Sequence, residues 1–258
     1  MATYNATPNA QGQLEVRKQY SVLSKSLMIA GIGFILMYAF SMVLFEILKY
    51  TLKDGKNDNI LTILYVVSIV LIISTLVMSL FTMRGIEKTK LSSLITMIFM
   101  YGIGNGISFG ILFYAISLSQ STIGMTDVML CFLITGFIFG VVGSLGTLLS
   151  VKFTMTLGKF LMYATLAFLV AFLVLSILSF TTPLITNKIS LLIWAVWGVL
   201  IIGYIMYDFS IIKKSQSFVE MLDQQSQTKY VWLFGFMLFM NLIQLLWLVL
   251  RVMLATRR

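Results

Sequence analysis

The chain contains no histidine and a single cysteine, Cys131. Without histidine there is no HExxH zinc site, no serine–histidine triad and no imidazole proton relay. One cysteine excludes an internal disulfide framework. Proline is almost missing, with only Pro8 and Pro183, so the broken segments that often mark a midplane transport site are lacking. Charge is scarce as well. Asp, Glu, Lys and Arg make up 10% of the residues and apolar residues 59%, against about 25% and about 45–50% in a soluble domain. A water-soluble globule is excluded. The charge that exists leans one way, 18 Lys and Arg against 9 Asp and Glu, for a net +9. No basic stretch outside the apolar runs is interleaved with base-stacking aromatics, so the implied partner is the lipid bilayer and not nucleic acid.

What is there is apolar sequence in long runs. Seven stretches, roughly 27–48, 60–83, 92–117, 127–150, 160–182, 190–212 and 230–254, are near or above the length needed to cross the membrane, about 20 residues for about 30 Å of hydrocarbon. They lack period-2 alternation, so they must be helices, the one open-ended structure that satisfies its own backbone in lipid. The first run is too long for a signal-peptide core and reads as an uncleaved anchor. The expected organisation is a polar N-terminal tail, 1–26, and one seven-helix transmembrane domain, 27–258. Eleven Lys and Arg fall in the tail and in loops 84–91, 151–159 and 213–229, and seven on the other side. That bias predicts a multi-pass protein of the cell membrane with a cytoplasmic N-terminus and an outside C-terminus. The longest loop, 213–229, has room for a turn of amphipathic helix at FVEML.

Small residues recur at helical spacing. Gly102, Gly106 and Gly110 line one face of the third span, and Gly136, Gly140 and Ser144 one face of the fourth. Such stripes let two backbones approach closely, or thin the wall beside a pore. Asn105, between two of those glycines, either bonds a neighbouring helix or lines a pathway.

Ionisable residues within a span are costly, so each is a candidate site. Glu46 lies near the end of its span, where it can reach the interface or pair with Lys49. Asp127 opens the fourth span, where a carboxylate meets the positive end of a helix dipole. Asp208, in YIMYDFSIIKK, is roughly 7 Å deeper than Lys213. It must be paired, solvated or protonated there. Arg84, closing the second span on the same side, is the most economical ion partner; otherwise the two are separate interface charges. Asn241 and Gln244, three apart in LFMNLIQLLWLVLR, share a face and can bond the sixth helix near Asp208.

These residues exclude several seven-helix chemistries. The seventh span has no lysine for a retinal Schiff base. Tyr207–Asp208 looks like half of an intramembrane aspartyl protease, which needs a second carboxylate; the seventh span has none. No catalytic constellation assembles, so an enzyme is not expected. A transporter coupled through Asp208 stays open.

The chain resembles bacterial-type members of the Bax inhibitor-1 family. The resemblance rests on FTMRGIEK at the end of the second span, the glycine-rich YGIGNGISFGILF, the tyrosine–aspartate segment YIMYDFSIIKK, and LFMNLIQLLWLVLRVM. Their order and spacing agree over 27–258, with Arg84, Asp208, Asn241, Gln244 and the Leu-Arg pair at Arg251 on matching positions. The resemblance implies an all-α membrane protein of seven transmembrane helices, the last one central and wrapped by the other six. It implies a calcium leak gated by protons, in which two aspartates on the sixth and seventh helices share a proton and engage the arginine of the second.

Here the second aspartate is replaced by Asn241, and Gln244 stands where the family has Asn. Asn cannot titrate, so the pH response is expected to move acidic or vanish. Calcium affinity should fall with the lost carboxylate. The gating set is then Arg84, Asp208, Asn241, Gln244, Tyr207 and Asn105, with Asp208 the best candidate metal ligand. No cofactor and no soluble substrate is implied; calcium enters as the permeant ion. The alternative is a non-conducting regulatory protein that binds another integral membrane protein, such as a protease.

Overall fold

The computed structural model describes residues 3–8, 14–19, 21–52, 58–118, 125–179 and 183–256. Seven long helices make up the body: α1 (Val22–Thr51), α2 (Asp58–Arg84), α3 (Leu91–Leu118), α4 (Met125–Thr147), α5 (Val151–Ser179), α6 (Pro183–Glu220) and α7 (Gln224–Thr256). All seven are long and apolar enough to cross a membrane. Ahead of them, β1 (Thr3–Pro8) and β2 (Leu14–Gln19) pair antiparallel, with Thr3 opposite Gln19. The polar tail expected over 1–26 is therefore partly a hairpin and, from Val22, already helix. Ser21 starts that helix by accepting the Ser24 amide at 3.2 Å, an N-cap that satisfies one orphan donor.

The other departure is at the sixth span. α6 runs on to Glu220, and only Met221–Asp223 separate it from α7, so the loop expected over 213–229 is mostly helix. Gln216 and Glu220, four apart, bond side chain to side chain at 2.8 Å on that extension. At 38 residues, α6 is about 57 Å long and exceeds the roughly 30 Å hydrocarbon core. Asp223 caps α7, its Oδ2 accepting the Ser226 amide at 3.0 Å.

α7 holds the middle. It packs against α1, α3, α4 and α6, while α2 lies on α3 and α5 on α6. The large buried side chains Phe236, Leu238, Phe239, Ile243 and Leu246 come from it. α1, α3 and α7 run parallel: Ser26 Oγ donates to the Val231 carbonyl at 3.2 Å, and Gly33 faces Ile98 and Phe239. Long apolar side chains on the outer faces, such as Ile35, Phe81, Leu133 and Phe137, are exposed and meet lipid.

Glycine sets the helix spacings. A Cβ on Gly106 would stand 2.8 Å from Phe40 and 3.2 Å from the Met37 carbonyl, and one on Gly110 3.1 Å from the Ser41 carbonyl. The stripe in α3 thus seats α1. The stripe expected on α4 lies elsewhere. Gly136 and Gly140 have nothing within 4 Å among the described residues, and Ser144 is exposed, its hydroxyl bonded to the Gly140 carbonyl. Gly143 and Gly146 do the packing, against Phe209 and the Met206 backbone of α6. The two sets sit on different faces of one helix, and the glycines that pack are three apart rather than four, so the four-residue spacing alone does not find them.

Two outcomes follow from this geometry. Gly146→Ala forces a methyl into backbone and should lower stability by about 1–3 kcal/mol, whereas Gly136→Ala should be neutral or stabilising by up to about 1 kcal/mol; detergent-denaturant titration of the pair measures the contrast. Asp223 has its carboxyl held below the usual aspartate range by the Ser226 hydroxyl and amide. Its cap contribution is complete above the unfolded value of about 3.9 and is lost as pH falls through the lower folded one. Hydrogen exchange at the first turn of α7 should therefore respond to acidification in the wild type and not in Asp223→Ala.

Candidate functional site

Polar side chains inside the bundle are few, and each is accounted for. Most hydroxyls turn back onto their own helix: Thr75 to the Leu71 carbonyl, Ser79 to Leu76 and Thr135 to Cys131, each at 2.7 Å. This back-bonding satisfies a hydroxyl in hydrocarbon without a partner helix. Among the described residues no buried side-chain nitrogen or oxygen lacks a partner.

Asp208 is the one carboxylate buried among them. It sits 12 residues before the end of α6, roughly 18 Å in. Asn241 of α7 donates its Nδ2 hydrogen to Asp208 Oδ2 at 2.7 Å, and both residues are buried. Their surroundings are apolar and tightly set. Phe209, next to Asp208, packs edge-on against Phe139 at 5.3 Å. Tyr207 lies against Gly158 of α5, where a Cβ would come within 2.5 Å of its ring. The Asp208–Asn241 bond is therefore a buried polar link between α6 and the central helix.

Gln244 does not join it. The Tyr101 hydroxyl lies between the Asn105 and Gln244 side chains, on the α3 side of α7. Asn105 is fully engaged there: its Nδ2 donates to the Tyr101 carbonyl at 2.9 Å, and its Oδ1 accepts from the Trp247 indole at 3.3 Å. Phe109 stacks on Trp247 with centroids 4.4 Å apart. The two amides of α7 thus serve two neighbours, Asn241 to α6 and Gln244 to α3. Tyr101 and Trp247 were not among the expected residues, although Tyr101 is one turn before Asn105 and Trp247 one turn after Gln244.

Arg84 closes α2, and its side chain lies outside the described residues, as does the expected ion pair with Asp208. Glu46 is exposed near the end of α1, and Lys49 lies 5.8 Å over the Phe45 ring. Asp127 is in the first turn of α4. Arg251 stacks over the Trp194 ring at 4.0 Å. A cluster with no sequence signature clamps the end of the bundle where α4, α5 and α6 meet. Lys213 donates to the Thr147 carbonyl at 3.1 Å. Lys214 donates to the Ser150 carbonyl at 2.9 Å, to Ser210 Oγ at 2.7 Å and to Thr154 Oγ1. Lys213, bonding the last carbonyl of α4, offsets an orphan acceptor and the helix dipole there.

With this geometry in place, the comparisons are informative. The family described as inhibitor of apoptosis-promoting Bax1 has a model that matches residues 13–258. The chain belongs to that family. The match covers nearly all of the chain, all seven helices included. No curated protein and no solved structure matches. As a Bax inhibitor-1 family member the chain is a multi-pass membrane protein, and its polar centre has one carboxylate and one carboxamide at hydrogen-bond distance.

That pairing is measurable. Asn241→Leu leaves a buried acceptor without its donor and should cost about 1–3 kcal/mol. Asp208→Asn keeps an acceptor oxygen and should cost less. Asp208→Leu combined with Asn241→Leu should be milder than the sum of its parts, with a coupling of about 0.5–3 kcal/mol. A double-mutant cycle by denaturant titration in detergent tests this; additive losses would mean that the bond carries no net energy.

Proposed function

We propose that the protein is a leak pathway for calcium or a similar cation, gated at Asp208 and Asn241. The observation that supports this is the buried pair itself, a carboxylate held by one carboxamide between α6 and the central α7, in a region with no other carboxylate among the described residues. Hard cations prefer carboxylate oxygens and hold tightly where several converge. One carboxylate flanked by an amide suits brief contact with a passing ion more than storage. No group of three or more His, Cys, Asp or Glu comes together among the described residues. With the Asp208 oxygen occupied by Asn241 the path is shut; opening separates the two. Arg84 is the residue that completes the gate, and the N-terminus is placed in the cytoplasm with the C-terminus outside.

Asn241 also bears on proton response. Two carboxylates at this distance cannot both ionise, so a dyad exchanges a proton as pH changes. An aspartate–asparagine pair has a single titrating group and no such repulsion. The gate's pH response therefore moves acidic or vanishes.

A non-conducting regulatory role, binding another integral membrane protein such as a protease, draws on a different observation. Among the described residues the buried polar side-chain atoms are all paired, and an apolar groove between α1 and α3 stands open toward lipid.

Calcium flux into dye-loaded liposomes across a pH series separates these readings. Wild type should leak with little pH dependence, Asp208→Asn should change the leak, and Asn241→Asp should acquire a pH response. If none of the three conducts while all remain folded, the leak is wrong and the regulatory role stands.

A further inference from the structure

Two cavities follow one another along α3, the first with hydroxyls and a lysine in its lining and the second almost wholly apolar. The first, of about 540 Å³, opens at the start of the helix and is lined by Thr82, Thr89, Lys90, Ser92, Ser93 and Thr96, with Met78 and Phe81 behind. The second, of about 340 Å³, is an apolar groove between α1 and α3. Ile32, Gly33 and Leu36 form one wall, Phe99 and Ile103 the other, and Trp232 of α7 is also part of its lining. Ser92 and Thr96 belong to the first cavity and Phe99 and Ile103 to the second. These four residues follow one stripe of the helix, at i, i+4, i+7 and i+11. The polar and apolar parts therefore follow one another along a line of roughly 16 Å.

The groove exists because of where the glycines are. α1 and α3 touch closely at Gly106 and Gly110. Nearer their N-termini, Gly33 and Gly102 place no side chain between the helices, and the ring of Phe239 lies below both. The walls are lipid-facing, with Ile32 55%, Leu36 49% and Phe99 51% exposed.

The charges near the polar end are mostly of one sign. Lys90 lines the first cavity. Lys25 is exposed one turn ahead of Ile29, on the α1 face that forms the groove. Lys88 is exposed in the turn before α3, and Lys229, one turn before Trp232, donates to the Glu87 carbonyl at 2.9 Å. Glu87 is an exposed carboxylate on that same turn. Hydroxyls and ammonium groups near the start of α3, followed along the same stripe of the helix by an apolar slot, match a molecule with an anionic head and an acyl tail.

We infer that this face binds one anionic phospholipid, its phosphate at Lys90, Ser92, Ser93 and Thr96 and an acyl chain in the groove between α1 and α3. The site is separate from Asp208 and Asn241 and does not depend on how they act. A lipid seated there fills the slot beside Gly33 and Gly102, and so ties the stability of the bundle to the charge of the surrounding membrane.

The test uses full-length protein purified in detergent and stripped of lipid, titrated with phosphatidylglycerol or phosphatidylcholine. Thermal unfolding and native mass spectrometry of retained lipid are the readouts. Phosphatidylglycerol should raise the melting temperature and remain bound as a single copy, and phosphatidylcholine should do so much less. Lys90→Gln and Lys25→Gln should each weaken the phosphatidylglycerol effect, by about five-fold in affinity. Leu36→Trp, at an exposed position that fills the groove, should abolish retention without unfolding the protein. Equal response to the two lipids, or undiminished phosphatidylglycerol binding in Lys90→Gln and Leu36→Trp, would overturn the assignment. So would a change of oligomeric state in Leu36→Trp with lipid binding intact, which would make the groove a contact between copies.

Discussion

A polar group on a helix that crosses hydrocarbon has no water to fall back on, so it must find its partner within the protein. Much of this bundle follows from that requirement. Serines and threonines in the spans bond carbonyls of their own turn, as Thr75 and Thr135 do. Groups too long or too strongly polar for that solution, Asp208 and the amides of Asn105, Asn241 and Gln244, have to be met by another helix. α7 meets Asp208 of α6 through Asn241 and Asn105 of α3 through Trp247, while Asn105 also turns back onto the Tyr101 carbonyl of its own helix, and these contacts place α7 between α3 and α6. At the surface the same rule governs Lys213 and Lys214, which end on carbonyls and hydroxyls where α4, α5 and α6 come together.

Attraction between helices in lipid comes from close contact rather than from escape from water. Gly106, Gly110 and Gly146 bring backbones together, and those crossings fix where neighbouring parts of the helices separate. The groove beside Gly33 and Gly102 is the counterpart of the tight contact at Gly106. One stripe of small residues thus produces both a seam and an opening. The Asp208–Asn241 bond is held within the same framework, since Phe209 and Tyr207 on either side of Asp208 are seated on Gly143 and Gly158.

Much of this was legible in the sequence. The scarcity of charge and the length of the apolar runs required seven helices, and the model has them. The segments around Arg84, Asp208 and Asn241 indicated the family to which the chain belongs. Proximity of Asn241 to Asp208 followed from the reversal of the chain between the last two spans, which lets both residues lie at comparable depth. The partners of Gln244 did not follow. Asn241 and Gln244 are about 60° apart around α7, near enough to be assigned one face, yet that angle is enough to direct them to different neighbours. The end of α6 was misplaced because a polar segment reads as loop, although Gln216, Glu220 and their neighbours continue a helix once it leaves the bilayer. The stripe on α4 was misplaced because Gly136, Gly140 and Ser144 have the four-residue spacing of a packing face, whereas the glycines that pack, Gly143 and Gly146, are three apart.

The sequence by itself determined the solvent, the number of crossings and the chemical types available at the centre. These depend on composition and on run length, which are local and additive. Only the tertiary structure decided which glycine touches a backbone, which amide reaches the carboxylate, and where two helices part to leave a groove. Those depend on the rotation of each helix about its axis, and a run that is apolar on every side carries little record of that angle. The few polar and small residues carry it jointly, and it is resolved only when all seven helices are packed together.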